Sequence, residues 1–114
     1  MQDRVLSMLG LAEKAGKIVS GGFSTEEAVR KRQAKLVILA GDAQKNTVKS
    51  FEDKCKYSRI PLRYYSTKEI LGHAVGREDR SCMAVTDNGF AAVIMKLLDS
   101  GNEERGCNVE NQNQ

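Results

Sequence analysis

Apolar residues recur at helical spacing near the start of the chain, at Val5, Leu6, Leu9, Ala12 and Ala15. That period predicts an amphipathic helix. Asp3 can cap it, and Gly16 can stop it by taking the left-handed backbone of a helix end. "KIVS" then reads as a short strand. Ser24 with Glu27 matches a capping box and opens a second helix through Ala28 and Val29 to about Gln33. "KLVILAG" is an unbroken apolar run, the pattern of a strand buried on both faces of an α/β sheet.

"KNTVKSFEDKCKYSR" returns to the helical period, with Val48, Phe51 and Cys55 inward. "IPLRYYS" is a strand entered through Pro61, the only proline. Ser66 with Glu69 makes a second capping box for "STKEILGHAVG", which Gly76 closes. "CMAVTD" is a fourth strand. Asn88 caps the last helix, whose stripe is Phe90, Val93, Ile94, Leu97 and Leu98. From Ser100 the chain turns polar, so the expectation is one domain over residues 1–99 and a disordered tail over 100–114. The alternation of helix and strand predicts an α/β/α sandwich around a four-stranded sheet, not necessarily all parallel.

Composition narrows the function. With 114 residues the chain makes one ordinary domain. Of the formal charge of +3, the last fifteen residues contribute −2, which leaves +5 for residues 1–99. That suits a polyanion without requiring one. Aromatic residues are 5% and Trp is absent, which argues against stacking on exposed rings as the main recognition mode. Cys55, Cys82 and Cys107 are odd in number and far apart, with no C-x-x-C. A disulfide framework or zinc site is not expected, and Cys55 and Cys82 read as small core hydrophobes of a reducing compartment. No signal peptide or membrane span is recognisable, so a soluble cytoplasmic protein is expected.

A search for catalytic chemistry finds no assembled set. His73, the only histidine, has no nucleophile or carboxylate near it in sequence and reads as structural or surface. Asp42 follows the apolar strand and reads as a turn or cap. Gly72 and Gly76 are spaced as in a close helix packing or a helix terminus. "SGGFST" fits neither nucleotide-binding glycine pattern, and no metal-ligand spacing occurs. The expectation is therefore a non-catalytic protein without cofactor or metal. A binding site is more legible. The Gly21-Gly22 turn and the helix start after it present free N–H groups, and Arg30-Lys31-Arg32 follow on the same segment.

Four segments in this order, "LGLAEKAGKIVSGG", "AVRKRQAKLVILAGDA", "DKCKYSRIPLRYYSTKEILGHAVGR" and "MAVTDNGFA", resemble the ribosomal L-seven-Ae / L-thirty-e family in its bacterial YlxQ-type branch. The resemblance implies a three-layer α/β/α sandwich with a mixed four-stranded sheet. It also implies structured RNA as partner, of kink-turn type or ribosomal, with ribosome association and a monomeric protein that binds no membrane. By position, the first RNA-facing segment would be Gly21, Gly22, Phe23, Ser24, Thr25, Glu26 and Glu27, with Arg30 and Lys31 a turn further on. The second would be the loop Arg77, Glu78, Asp79, Arg80, Ser81 and Cys82. In archaeal and eukaryotic members the helix start carries Asn-Glu and, after two intervening residues, Lys. Here Phe23, Ser24 and Glu27 hold those positions. The alternative function is a ribosome- or protein-interaction module that keeps the fold without kink-turn recognition, and Glu27 is the residue that favours it.

Overall fold

A computed structural model of the chain describes residues 3–107. Its elements are α1 (Arg4–Lys14), β1 (Ile18–Ser20), α2 (Gly22–Arg30), β2 (Leu36–Leu39), α3 (Lys45–Ser58), β3 (Leu62–Tyr64), α4 (Lys68–Ala74), β4 (Cys82–Val85) and α5 (Asn88–Cys107). The strands form one mixed sheet in the order β1-β4-β2-β3. β4 runs antiparallel to both β1 and β2, and β2 is parallel to β3. The C-terminal ends of β1, β2 and β3 and the start of β4 therefore meet at one end of the sheet.

The unbroken apolar run explains the central strand. In β2, Leu36 and Ile38 enter one core cluster and Val37 and Leu39 the other, so neither face is polar. α1, α4 and α5 cover the first face, through Val5, Leu9, Leu71, Ala91, Ile94 and Leu98. α2 and α3 cover the second, through Ala28, Val29, Phe51 and Cys55. The three-layer sandwich is thus the observed architecture. Each large side chain buried in it contributes about 1.5–3 kcal/mol relative to exposure. Cys55 and Cys82 are free and buried, as their reading as core hydrophobes expects. Burial pushes the Cys55 thiol up to about 11.

Helix starts differ from expectation three times, and always for the same reason: the backbone leaving a strand decides where a helix begins. α2 starts at Gly22, with Gly21 as cap at φ 93 and ψ 157. Ser24 therefore lies inside the first turn and no Ser24–Glu27 box forms. In α4 the cap is Thr67, whose hydroxyl accepts from Ile70 N at 3.2 Å. Ser66 is held one residue earlier at φ 58, its carbonyl accepting from Gly41 N. In α5 the cap is Asp87 rather than Asn88, since Asp87 Oδ2 accepts from Phe90 N at 2.9 Å. The α5 stripe also shifts, with Ala91 buried and Val93 exposed. Asp3 does cap α1, accepting from Leu6 N at 3.0 Å.

α5 continues to Cys107, past the boundary expected at Asp99. Glu103, Glu104 and Arg105 are good helix formers and no proline interrupts them. The remainder of the expected tail, 108–114, lies outside the described residues.

Candidate functional site

The antiparallel pairing of β1 with β4 sets Ser20 opposite Met83. It thereby joins two segments far apart in sequence: the turn after β1 and the loop before β4. Gly21 N donates to Cys82 O at 3.0 Å, and Arg80 Nε donates to Ser20 Oγ at 3.1 Å. Gly21 sits in a backbone region that is essentially reserved for glycine. That kink ends the strand and starts α2 at once. The first intrahelical bond runs from Thr25 N to Gly21 O at 3.0 Å. The amides of Gly22, Phe23 and Ser24 are left without a partner among the described residues, and all three residues are exposed. They form an open helix mouth carrying partial positive charge. Phe23 stands at its rim, 77% exposed.

The second loop is folded tightly against α4. Arg77 N donates to Gly72 O at 2.8 Å and Arg80 N to Lys68 O at 2.9 Å. A Cβ at Gly72 would lie 1.7 Å from Glu78 O, so only glycine admits this approach. Both readings of the Gly72/Gly76 spacing hold together: Gly72 is the close packing and Gly76, at φ 72, the terminus. Asp42 is a cap, as expected, but of another helix, accepting from Lys68 N at 2.9 Å. Ala40 N donates to Ser81 O and Gly41 N to Ser66 O, so the loops at this end are stitched to one another.

Not every expected contact residue reaches the surface. Thr25 and Cys82 are fully buried. Thr25 Oγ1 makes no hydrogen bond of ordinary geometry among the described residues and lies against the Cys82 thiol. Burial pushes that thiol up, and the Thr25 and Ser81 hydroxyls and the Arg80 charge pull it back. These two residues lock the mouth to the loop from beneath and touch nothing outside. Glu78, Asp79 and Arg77 are exposed on the loop, and Arg80 and Ser81 are half-buried.

Arg30 and Lys31 are not beside the mouth. They end α2, and at 1.5 Å per residue Arg30 stands about 12 Å along the axis from Gly22. Both turn to Glu27, at 3.9 and 3.4 Å. Lys54 of α3 stands 3.9 Å from Glu26, a partner that no local sequence signal reveals because it lies on another helix. The acids at the mouth are thus largely answered by bases, although exposed pairs of this kind contribute only about 0–1 kcal/mol each. His73 is exposed on α4. Among the described residues, no group of three His, Cys, Asp or Glu side chains is placed to hold a metal ion. No described helix is long and apolar enough to cross a membrane.

A three-layer sandwich around one mixed sheet, with a helix mouth tied to the loop before its last strand, defines a small α/β protein. The sequence profile of the Ribosomal protein L7Ae/L30e/S12e/Gadd45 family matches residues 3–95, and the chain belongs to this family. It is 44% identical over 92 residues to the RNA-binding protein YlxQ of Bacillus subtilis (strain 168), covering 81% of this chain and 92% of that one. The Enterococcus faecium protein of the same name is 31% identical over 98 residues, covering 86% and 94%. A solved structure from Bacillus halodurans C, described as a protein with unknown function, matches with a TM-score of 0.83 at 36% identity, covering 86% of this chain and 99% of that one. The Giardia lamblia 15.5kD RNA binding protein shares the fold at a TM-score of 0.73 and 18% identity, covering 88% and 89%.

Proposed function

We propose that the protein is a non-catalytic, cytoplasmic, monomeric RNA-binding protein that recognises a kink-turn or similarly bent RNA and acts in association with the ribosome. The observation that carries this reading is the Gly21 N to Cys82 O bond, which sets three unpartnered amides beside Arg80 in one solvent-facing surface. Family membership and two relatives named RNA-binding proteins support RNA as the partner.

The chemistry follows from the shape of RNA. A regular A-form helix hides its base edges in a deep, narrow major groove. A sharp bend opens that groove, and a helix start can then enter it. The amides of Gly22, Phe23 and Ser24 meet phosphate or base acceptors there. Glu26 accepts from guanine N–H donors. The loop Arg77–Ser81 holds the unpaired nucleotides at the bend, with Arg77 and Arg80 against their phosphates. Arg30 and Lys31, farther down α2, reach the flanking duplex.

The test is a binding titration of the full chain against a kink-turn RNA and a straight duplex of equal length, each at two salt concentrations. The kinked RNA is expected to bind tighter at both. Equal affinity contradicts shape recognition, and no binding to either removes RNA from the account. Reversing Arg30 and Lys31 to Glu is expected to weaken both RNAs alike. It should also flatten the log–log salt dependence by about 0.9 for each phosphate that is no longer neutralised.

A further inference from the structure

Four helices of this protein end in the same way. In α1, α2, α3 and α4 an amide reaches back five residues past a left-handed residue: Lys17 N to Ala12 O, Gln33 N to Ala28 O, Ile60 N to Cys55 O and Arg77 N to Gly72 O. This is the Schellman pattern, whose left-handed position favours glycine. Gly16 and Gly76 fill it in α1 and α4, at φ 75 and 72. In α2 and α3 the same position holds Arg32 and Arg59, at φ 61 and 60. A side chain there costs about 1–2 kcal/mol relative to a right-handed backbone.

Both of these arginines line one cavity of about 260 Å³. Lys35, Ser58, Ile60 and Asn88 line it as well. It opens where β2 and β3 begin and β4 ends, at the end of the sheet away from the mouth. Its frame is fixed by backbone bonds, Lys35 N to Val85 O at 2.7 Å and Val37 N to Pro61 O at 2.9 Å. No acid lines it. Asp87, next in sequence to Asn88, is turned to the α5 start. Among the described residues, Arg32, Lys35 and Arg59 make no ion pair. The neighbouring groove between α2 and α3 differs, since Glu26 and Asp53 line it together with Arg30, Arg32 and Lys54.

We propose that the cavity between Arg32, Lys35 and Arg59 is an oxyanion site that takes a phosphate group, separate from the mouth. Two guanidiniums offer planar forks of donors, the geometry that suits phosphate oxygens. The Lys35 ammonium adds a third charge, and the Ser58 hydroxyl and Asn88 amide add neutral donors. The volume is several times the roughly 30 Å³ share of one water, so a phosphate fits with part of its hydration. Cations at a helix C-terminus also offset its dipole, but Lys or Arg within the last turn would do that without a left-handed arginine. With RNA as the source of the phosphate, the protein would hold two RNA segments at once, one at each end of the sheet. In that form the inference rests on RNA binding as proposed above.

The experiment is an amide NMR titration of the full chain with inorganic phosphate, against sodium chloride at matched ionic strength. The amides of Arg32, Lys35, Arg59 and Ile60 are expected to shift with phosphate. In the R32G/R59G variant saturation is expected to need at least roughly tenfold more phosphate, the loss typical of one charge-assisted hydrogen bond. Glycine suits the left-handed backbone, so the thermal midpoint of that variant holds or rises, and the loss is not one of folding. A straight RNA duplex and a mononucleotide then separate the sources. The same amides moving with the duplex identify a backbone phosphodiester, and with the mononucleotide alone a free phosphate ester; both support the site. A phosphate response matching the chloride control, or one unchanged in R32G/R59G, overturns it. So does a response to an acidic peptide where neither phosphate nor RNA gives one. Shifts of Gly22, Phe23 and Ser24 with RNA report on the mouth separately. A silent mouth beside a responsive cavity contradicts the proposed function alone, and the reverse contradicts this site alone.

Discussion

At the end of the sheet where β1 finishes, the turn into the helix mouth is made by a glycine, Gly21, and Glu26 and Glu27 have bases beside them. At the other end the left-handed positions beside the cavity are Arg32 and Arg59, and among the described residues no acid lines it. The first end works by backbone shape. It exposes three amides and holds a loop against a glycine where no side chain would fit. The second end works by charge, and it carries backbone strain to keep two guanidiniums in place. Substitutions at glycine should therefore damage the first end, and substitutions to glycine should cost the second end its ligand while adding stability.

The largest effect is expected from Gly72→Ala. The new Cβ would lie 1.7 Å from a backbone oxygen, which cannot move aside as a side chain could. Unfolding free energy should fall by about 3 kcal/mol, at the upper end for overpacking. Binding of kinked RNA should fall with it, as the Arg77–Ser81 loop is displaced. Denaturant unfolding and an RNA titration check both. Retained affinity would mean that the loop is not part of the site. Gly21→Ala comes next, at about 2 kcal/mol, because φ 93 with ψ 157 is hostile to any side chain. A loss well under that would show that the turn relaxes freely.

Arg59→Gly reverses the sign. It should raise the unfolding free energy by about 1 kcal/mol as the left-handed strain is relieved. A destabilised variant would mean that the arginine packs in a way charge alone does not explain. Smaller still is a pH effect in the shared core between the two ends. Folded Cys55 is held near 11 by burial, against an ordinary value of 9.0. Between those values the unfolded chain gives up the proton and the folded chain keeps it. The contribution is full below pH 9 and is lost as pH rises toward 11. Urea midpoints at about pH 8 and about pH 9.5 should converge on those of Cys55→Ala; parallel curves would refute the shift.

The fold was legible because its strongest signals are long-range facts written locally. "KLVILAG" is apolar on both faces, and β2 is indeed covered on both. Gly16 and Gly76 end helices where the spacing says they should. The helix starts were not legible. Ser24 and Ser66 look like caps, but Gly21 and Thr67 begin their helices because hydrogen bonds to Cys82 and Gly41 fix the chain there. Those partners are distant in sequence. The same limit applies to the site. Thr25 and Cys82 read as surface contacts, yet they meet each other under it. Arg30 and Lys31 read as lying a turn beyond the mouth, and they stand at the far end of their helix. Arg32 reads only as the end of a basic run and Arg59 carries no motif; only folding brings them to one cavity.

In the proposed function the mouth and the Arg77–Ser81 loop stabilise a bent RNA. The most direct measurement is energy transfer between dyes on the two ends of a kink-turn RNA, in a buffer without divalent ions, as the full chain is added. A saturable rise in transfer is expected as the ends draw together, absent for a straight duplex and abolished by Gly72→Ala. Binding of the kink-turn RNA with no rise in transfer would contradict it.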